Sequence, residues 1–352
     1  MSPGLLEGPA PRLRAIPASA PFLEVLADAI VAALGRDDPF ALSDALVLLP
    51  NRRAAAGLID AFAERLGGAA LLPAIRPLGD PHVDDDPDVW GADGLITEIA
   101  PPIEKMQRRL ELAALIRARD VAENGVEDPA RAIALADELA KLLDSAATVD
   151  RVAWEKLPTL VEEIDLARHW ASSARFLDII ATFWPQHLAE QGRTDIAAYG
   201  AALRCSLAQR WRDNPPARPV IIAGSTGSIA TTRELMRVVA ALPRGVVVFP
   251  GVDTNIEDDS WAFVGEQHPQ HALKETLAAL GVDRRDVPLL SAPTPSAQAR
   301  GRLMREALAP AEKTADWLTR LEGAGGAAFV TAGAEGLRLL EAATEEEEAS
   351  AV

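Results

Sequence analysis

The chain has 352 residues, 49 % hydrophobic and 25 % charged, enough for two or three domains with their own cores. Its formal net charge of −17 repels nucleic acid and anionic membrane, so any DNA contact has to be local or shared with a partner. The one cysteine, Cys205, excludes internal disulfides, a Cys-based zinc site and an iron–sulfur cluster within these residues, which points to a reducing cytoplasm.

Residues 1–11 read as a flexible leader. The following "RLRAIPASAPFLEVLADAIVAALG" predicts a short strand, a Pro/Ser turn and an amphipathic helix with apolar residues at 22, 23, 26, 30 and 34. Glu24 and Asp28 on the body of that helix argue against a secretory signal. The segment "DALVLLPNRRAAAGLIDAFAERLGG" repeats the pattern, with a buried strand at Leu46–Leu49 and a helix ended by a Gly pair. A further short strand is expected in "LLPAIRPLGD". Short apolar strands alternating with helices predict an α/β fold whose parallel sheet is covered on both faces.

After the acidic loop "PHVDDDPDVWGADG", residues 101–213 carry successive helical patterns, near 102–119, 129–145, 161–190 and 195–213. A helical block is thus inserted into the α/β domain. The α/β rhythm returns with "RPVIIAGS", a helix at about 230–242 and "GVVVFPG", followed by three more helices. A joint at Gly323, Gly325 and Gly326 precedes a tail that reads as the first strand and helix of another domain. The resulting boundaries are 12–100 and 217–322 for the two parts of one lobe, 101–216 for the insertion and 323–352 for the start of a second lobe. The run Glu345–Glu348 reads as a solvated helix face, and no apolar run is long enough to span a bilayer.

The turn in "RPVIIAGSTGSIATTRELM" has the layout of a phosphate cradle, strand to glycine-rich turn to helix. A working P-loop also needs a lysine and a following hydroxyl, and the stretch from Gly224 to Thr232 has no lysine. Two readings stay open: a nucleotide site, or Ser and Thr capping a helix that begins near Ile229. Asn51, Arg52 and Arg53 stand at the exit of one strand, where ligands of doubly wound sheets gather, and two arginines there could touch a phosphate backbone. "DTNIEDDSW" lacks the glycine and glutamate of a calcium loop, so Asp258 and Asp259 are expected to flank the next helix. His268 and His271 have no third ligand at a recognisable spacing, and His82, His169 and His187 are scattered. Trp154, Trp170, Trp184 and Trp211 sit at helical spacing beside Leu, Ile and Phe, which predicts core packing rather than base stacking. No catalytic, cofactor-binding or metal-binding residue is expected.

In combination, "LVLLPNRRAAAGLIDAF", "LLPAIRPLGD", "LADELAKLLD", "PVIIAGSTGSIATTRELM", "LPRGVVVFPGVDT" and "HPQHALKETLAALGV" resemble the N-terminal part of the alphaproteobacterial AddB family. These are double-strand-break repair subunits of the AddAB helicase–nuclease, and the resemblance runs over roughly residues 12–350. "AGSTGSI" followed by "HPQ" is its most specific part. The resemblance implies a RecA-like, superfamily-one-helicase-like lobe with a helical insertion and a degenerate nucleotide site. "PASAP" stands where family members can carry a Gly-rich lysine loop, and Ala223 where helicases present a magnesium-binding acid. It further implies contact of Ser225, Thr226 and Ser228 with single-stranded DNA at duplex ends, and an AddA-type helicase–nuclease subunit as partner. The family's nuclease domain and its iron–sulfur cluster are not expected in these residues, so the tail suggests a fragment or truncated frame. An ATPase using Gly224–Ser228 and a pure protein-interaction scaffold are the alternatives.

Overall fold

The computed structural model describes residues 4–35, 39–67, 70–78, 99–124, 128–147, 182–323 and 326–351. Five strands among them form one all-parallel sheet: β1 (Leu13–Ile16), β2 (Leu46–Leu49), β3 (Ala74–Pro77), β4 (Val220–Ala223) and β5 (Gly245–Pro250), in the order β1-β5-β4-β2-β3. Every residue of β1, β2 and β4 is buried, which is why β2 and β4 read as unbroken apolar runs rather than alternating ones, while β1 buries Arg14 within it.

The two faces collect different helices. Leu13, Ala15, Leu46, Leu48, Val220, Ile222, Val247 and Phe249 point to one face. There they meet α7 (Ile196–Asp213), α8 (Ala230–Ala241) and α10 (His271–Leu280). Ile16, Val47, Leu49, Ile221, Ala223, Val246 and Val248 point to the other, against α1 (Phe22–Leu34) and α3 (Arg52–Leu66). This division follows from chirality. Right-handed crossovers put the helices that carry the chain from β1 to β2 and on to β3 on one side, and the return from β4 to β5 on the other. Pro288 to Leu290 continues that return and bonds both sides of Ala15, at the outer edge of β1.

The helical block has its own core. In it α4 (Lys105–Asn124), α5 (Pro129–Ala147) and α6, described over 182–190, enclose Ile103, Leu112, Ile116, Ala136, Leu139, Trp184 and Leu188. Asp195 joins it to the next helix. One carboxylate oxygen caps α7 at the Ala197 amide; the other accepts from Arg108 Nε (3.0 Å) and Trp184 Nε1 (2.7 Å). Trp184 and Trp211 are buried as expected, whereas Trp154, Trp170, His82, His169, the acidic loop and most of the helix expected at 161–190 lie outside the described residues.

Three expectations need correction. Residues 4–11 are docked rather than loose: Leu5 is buried in the α1–α3 core, and the Arg14 guanidinium donates to Gly4 O (2.9 Å) and to the Glu7 carbonyl. The last helix of the presumed insertion, α7, packs Leu203, Leu207 and Trp211 into the sheet core and so belongs to that core. The tail's expected strand is a helix, because the alanines of "GAAFVTAGA" favour one. The chain from 295 onward thus runs as α11 (Pro295–Ala307), α12 (Trp317–Glu322), α13 (Gly326–Ala334) and α14 (Glu345–Ala351).

Asp195→Ala removes the α7 cap and leaves the Trp184 indole and the buried Arg108 each short of a partner. Urea denaturation followed by tryptophan fluorescence should show a loss of about 3–5 kcal/mol, against about 1 kcal/mol for a cap alone.

Candidate functional site

Neighbouring strands whose chains leave to opposite faces open a crevice at their carboxyl ends, and that is where ligands of such sheets bind. Two such places occur: between β1 and β5, and between β2 and β4.

At the first, β1 runs into Pro17–Pro21, a five-residue connection before α1. It closes on itself, with the Ala20 amide bonded to Pro17 O at 3.0 Å. Gly251, leaving β5 with φ 62°, bonds Ile16 O (2.8 Å) and lies so near that a Cβ there would be 3.1 Å from Ala18 Cβ. A P-loop needs about eight residues, free amides and a lysine. Here two prolines have no N–H to offer, and Glu24 in the first turn of α1 already answers the helix dipole.

The second crevice gathers the residues singled out in the sequence. Leu48 of β2 stands beside Ile222 of β4, so Pro50–Arg53 and Gly224–Ser228 leave the sheet side by side. A Cβ on Gly224 would sit 3.4 Å from Pro50 Cδ. Asn51 caps α3, accepting from the Ala54 amide at 2.9 Å, which turns Arg52 and Arg53 outward onto the exposed first turn.

The Gly224–Ser228 turn is built inward. Gly224 N donates to Val248 O (3.0 Å) and Gly227 N to Ser225 Oγ (3.2 Å), so two amides that a phosphate would need are taken. Thr276, fully buried on α10, donates its hydroxyl to Thr226 O at 2.8 Å, and Arg233 Nε donates to Gly227 O at 3.1 Å. Gly227 has φ 72° and faces Thr276 so closely that a Cβ would overlap it. The capping reading also needs correcting. The residue at the start of α8 is Ile229, no side chain caps that end, and Ser228 stays exposed. Thr231 instead accepts from Arg204 Nε (2.9 Å). Arg204 is buried on α7, also donates to Leu78 O, and has its pKa lowered by that burial.

Beyond β5, Gln270 holds the loop at two points: its Nε2 donates to Gly251 O (2.9 Å) and its Oε1 accepts from Asp253 N (3.0 Å). His268 Nδ1 accepts from the Gln270 amide, and burial lowers the pKa of that imidazole. His271 opens α10. Sequence reasoning weighed "HPQH" for its histidines alone, and the working member is the glutamine between them. Thr276 carried no local signal, since its partner lies fifty residues away. His187 sits far from this edge, paired with Glu111 (2.8 Å) between α4 and α6, and Cys205 is an exposed residue of α7.

Asp258 opens the short helix α9 (Asp258–Ala262) and is engaged by Arg285 and Arg284; Asp259 is engaged by Lys313. Both carboxylates are thus committed to cations of the chain itself. The edge carries two arginines on the exposed first turn of α3 and the hydroxyl of Ser228, beside a turn anchored from behind. That suits hydrogen bonding and charge contact with a single phosphodiester better than wrapping a triphosphate.

Gly227→Ala forces a left-handed conformation on alanine and pushes against Thr276, so chemical denaturation should record a loss of about 2–4 kcal/mol. The Asp258 carboxyl, hydrogen-bonded first by Arg285 and then by Arg284, is lowered to about 2 from the usual aspartate value. Because the folded-state value is the lower one, its tie is intact above the usual value and is lost as pH falls through about 2. A carboxyl NMR titration of Asp258 should give that midpoint, and Arg285→Gln should raise it.

Comparison with protein-family models and with curated proteins finds no match to this chain.

Proposed function

We propose that the chain is a non-catalytic, helicase-like module of an AddB-type subunit acting in double-strand-break repair and homologous recombination in the cytoplasm. In this reading the sheet and the helices on its two faces are a RecA-like lobe of superfamily-one-helicase type, and α4–α6 are its insertion. The lobe guides single-stranded DNA at duplex ends and docks an AddA-type helicase–nuclease subunit, which supplies the motor. Asn51, Arg52, Arg53, Ser225, Thr226 and Ser228 form its strand contact.

One observation carries the reading: the sheet keeps both switch-point crevices, while the exit of β1 has become a closed Pro17–Pro21 turn without lysine. A fold that retains the architecture of a nucleotide site without its phosphate chemistry can still steer a polyanion through charge at the neighbouring exit. Ala223, buried at the end of β4 where a metal-holding acid would be required, agrees with this. The acidic balance of −17 favours a second reading, a protein-interaction scaffold that never touches DNA.

Photocrosslinking of single-stranded DNA in the complex with the AddA-type partner separates the two. The strand-guide reading expects adducts at Asn51–Arg53 or Ser225–Ser228. It also expects Arg52→Gln/Arg53→Gln to lower the salt slope of binding by about 1.4, two phosphate contacts' worth. Adducts confined to the partner favour the scaffold. Magnesium-dependent ATP turnover by the purified chain, lost on Ser228→Ala or Thr231→Ala, refutes both.

A further inference from the structure

Residues 295–323 and 326–334 are joined internally but have little apolar hold on the sheet domain. Among them, α11, the 3-10 turn Ala311–Asp316 and α12 contain no buried residue. Their own parts fit closely. A Cβ on Gly333 would sit 2.6 Å from Leu303 Cβ, so only glycine lets α13 approach α11 there. The Arg302 guanidinium lies 4.1 Å over the Phe329 ring, and Arg300 donates to the Gly333 and Glu335 carbonyls at the end of α13. Arg320 pairs with Glu306 at 3.4 Å.

The ties that run from this unit to the loop after β5 are of a different kind. Arg305 Nη1 pairs with Asp253 at 3.2 Å, Lys313 Nζ pairs with Asp259 at 2.5 Å, and the same ammonium stands 5.6 Å from the Phe263 ring centre. All three depend on charge. Their carboxylates keep contact with water, the Asp259 side chain being 60 % exposed and that of Asp253 20 %. The Lys313–Asp259 pair, with its exposed carboxylate, is screened by salt, and the Arg305–Asp253 pair, with side chains 25 % and 20 % exposed, is screened less; neither is an apolar anchor.

We propose that the unit comprising α11, α12 and α13 is a salt-released strap, clamped by Arg305 and Lys313 across the loop that follows β5. Lifting it frees the carboxylates of Asp253 and Asp259, on the chain that leaves β5. The sheet stays intact, because its core takes no side chain from α11 or α12. The inference does not depend on the DNA reading. It concerns access to one side of the sheet's carboxyl edge, whatever binds there.

Pulsed electron–electron resonance on the full chain tests it, with one spin label on the native, exposed Cys205 and a second on Ala307→Cys, at an exposed position of α11. At low salt a single narrow distance distribution is expected. In about 1 M NaCl, where the screening length is about 3 Å, a second and broader population should appear. The double variant Arg305→Gln/Lys313→Gln should show that population already at low salt. A single unchanged distance in high salt, or a double variant that keeps the narrow distribution, overturns the proposal.

Discussion

The structure depends on the position of β4. It pairs in parallel with β2 on one side and β5 on the other, and parallel partners cannot be joined by a hairpin. Each neighbour therefore has to be reached by a crossover, and the fixed hand of crossovers assigns α3 to one face and α8 to the other. Both faces must then be largely apolar, and most polar features are pushed to the ends of the strands, Arg14 inside β1 being an exception. With all strands pointing the same way, the exits of β1, β2, β4 and β5 gather at one edge. The candidate site is thus a consequence of how the sheet is wound.

A second regularity concerns where the positive charge goes. In a chain of net charge −17, cations that could face a polyanion are scarce, and several arginines are spent inside the fold. Arg14 holds carbonyls of the N-terminal segment, Arg204 that of Leu78, Arg233 that of Gly227 and Arg284 that of Ile256. A guanidinium has five donors and can satisfy buried carbonyls that no backbone amide reaches. Burial depresses the pKa of Arg14 and Arg204, yet an arginine begins so high that it keeps its charge. These side chains brace loops at the rim of the sheet, and Arg52 and Arg53 stand at its carboxyl edge.

The strands were legible as "LVLL", "VIIA" and "GVVVF", because burial on both faces leaves an uninterrupted apolar run. The same feature hid which residue faces which helices: alternation carries no information when both sides are apolar. That Asn51–Arg53 stand at a strand exit was legible; that they stand beside Gly224–Ser228 came from the strand order, which no local pattern carries. The anchoring of the turn was not legible either, because Thr276, Arg233 and Gln270 act through tertiary contacts that have no local pattern. Leu5 was unreadable for a related reason, a single leucine among glycine and proline having no periodicity. In the tail, "FVT" suggested a strand, and the small residues around it decided for a helix.

The contact between Gly227 and Thr276 bears on what the Gly224–Ser228 turn can accept. A turn locked from behind by a buried hydroxyl tolerates no side chain at its second glycine. The connection after β1 is too short to host a P-loop and would have to be lengthened against Gly251. Building a nucleotide pocket at this edge would therefore mean remaking the connection after β1 together with the Gly251 turn that packs on it.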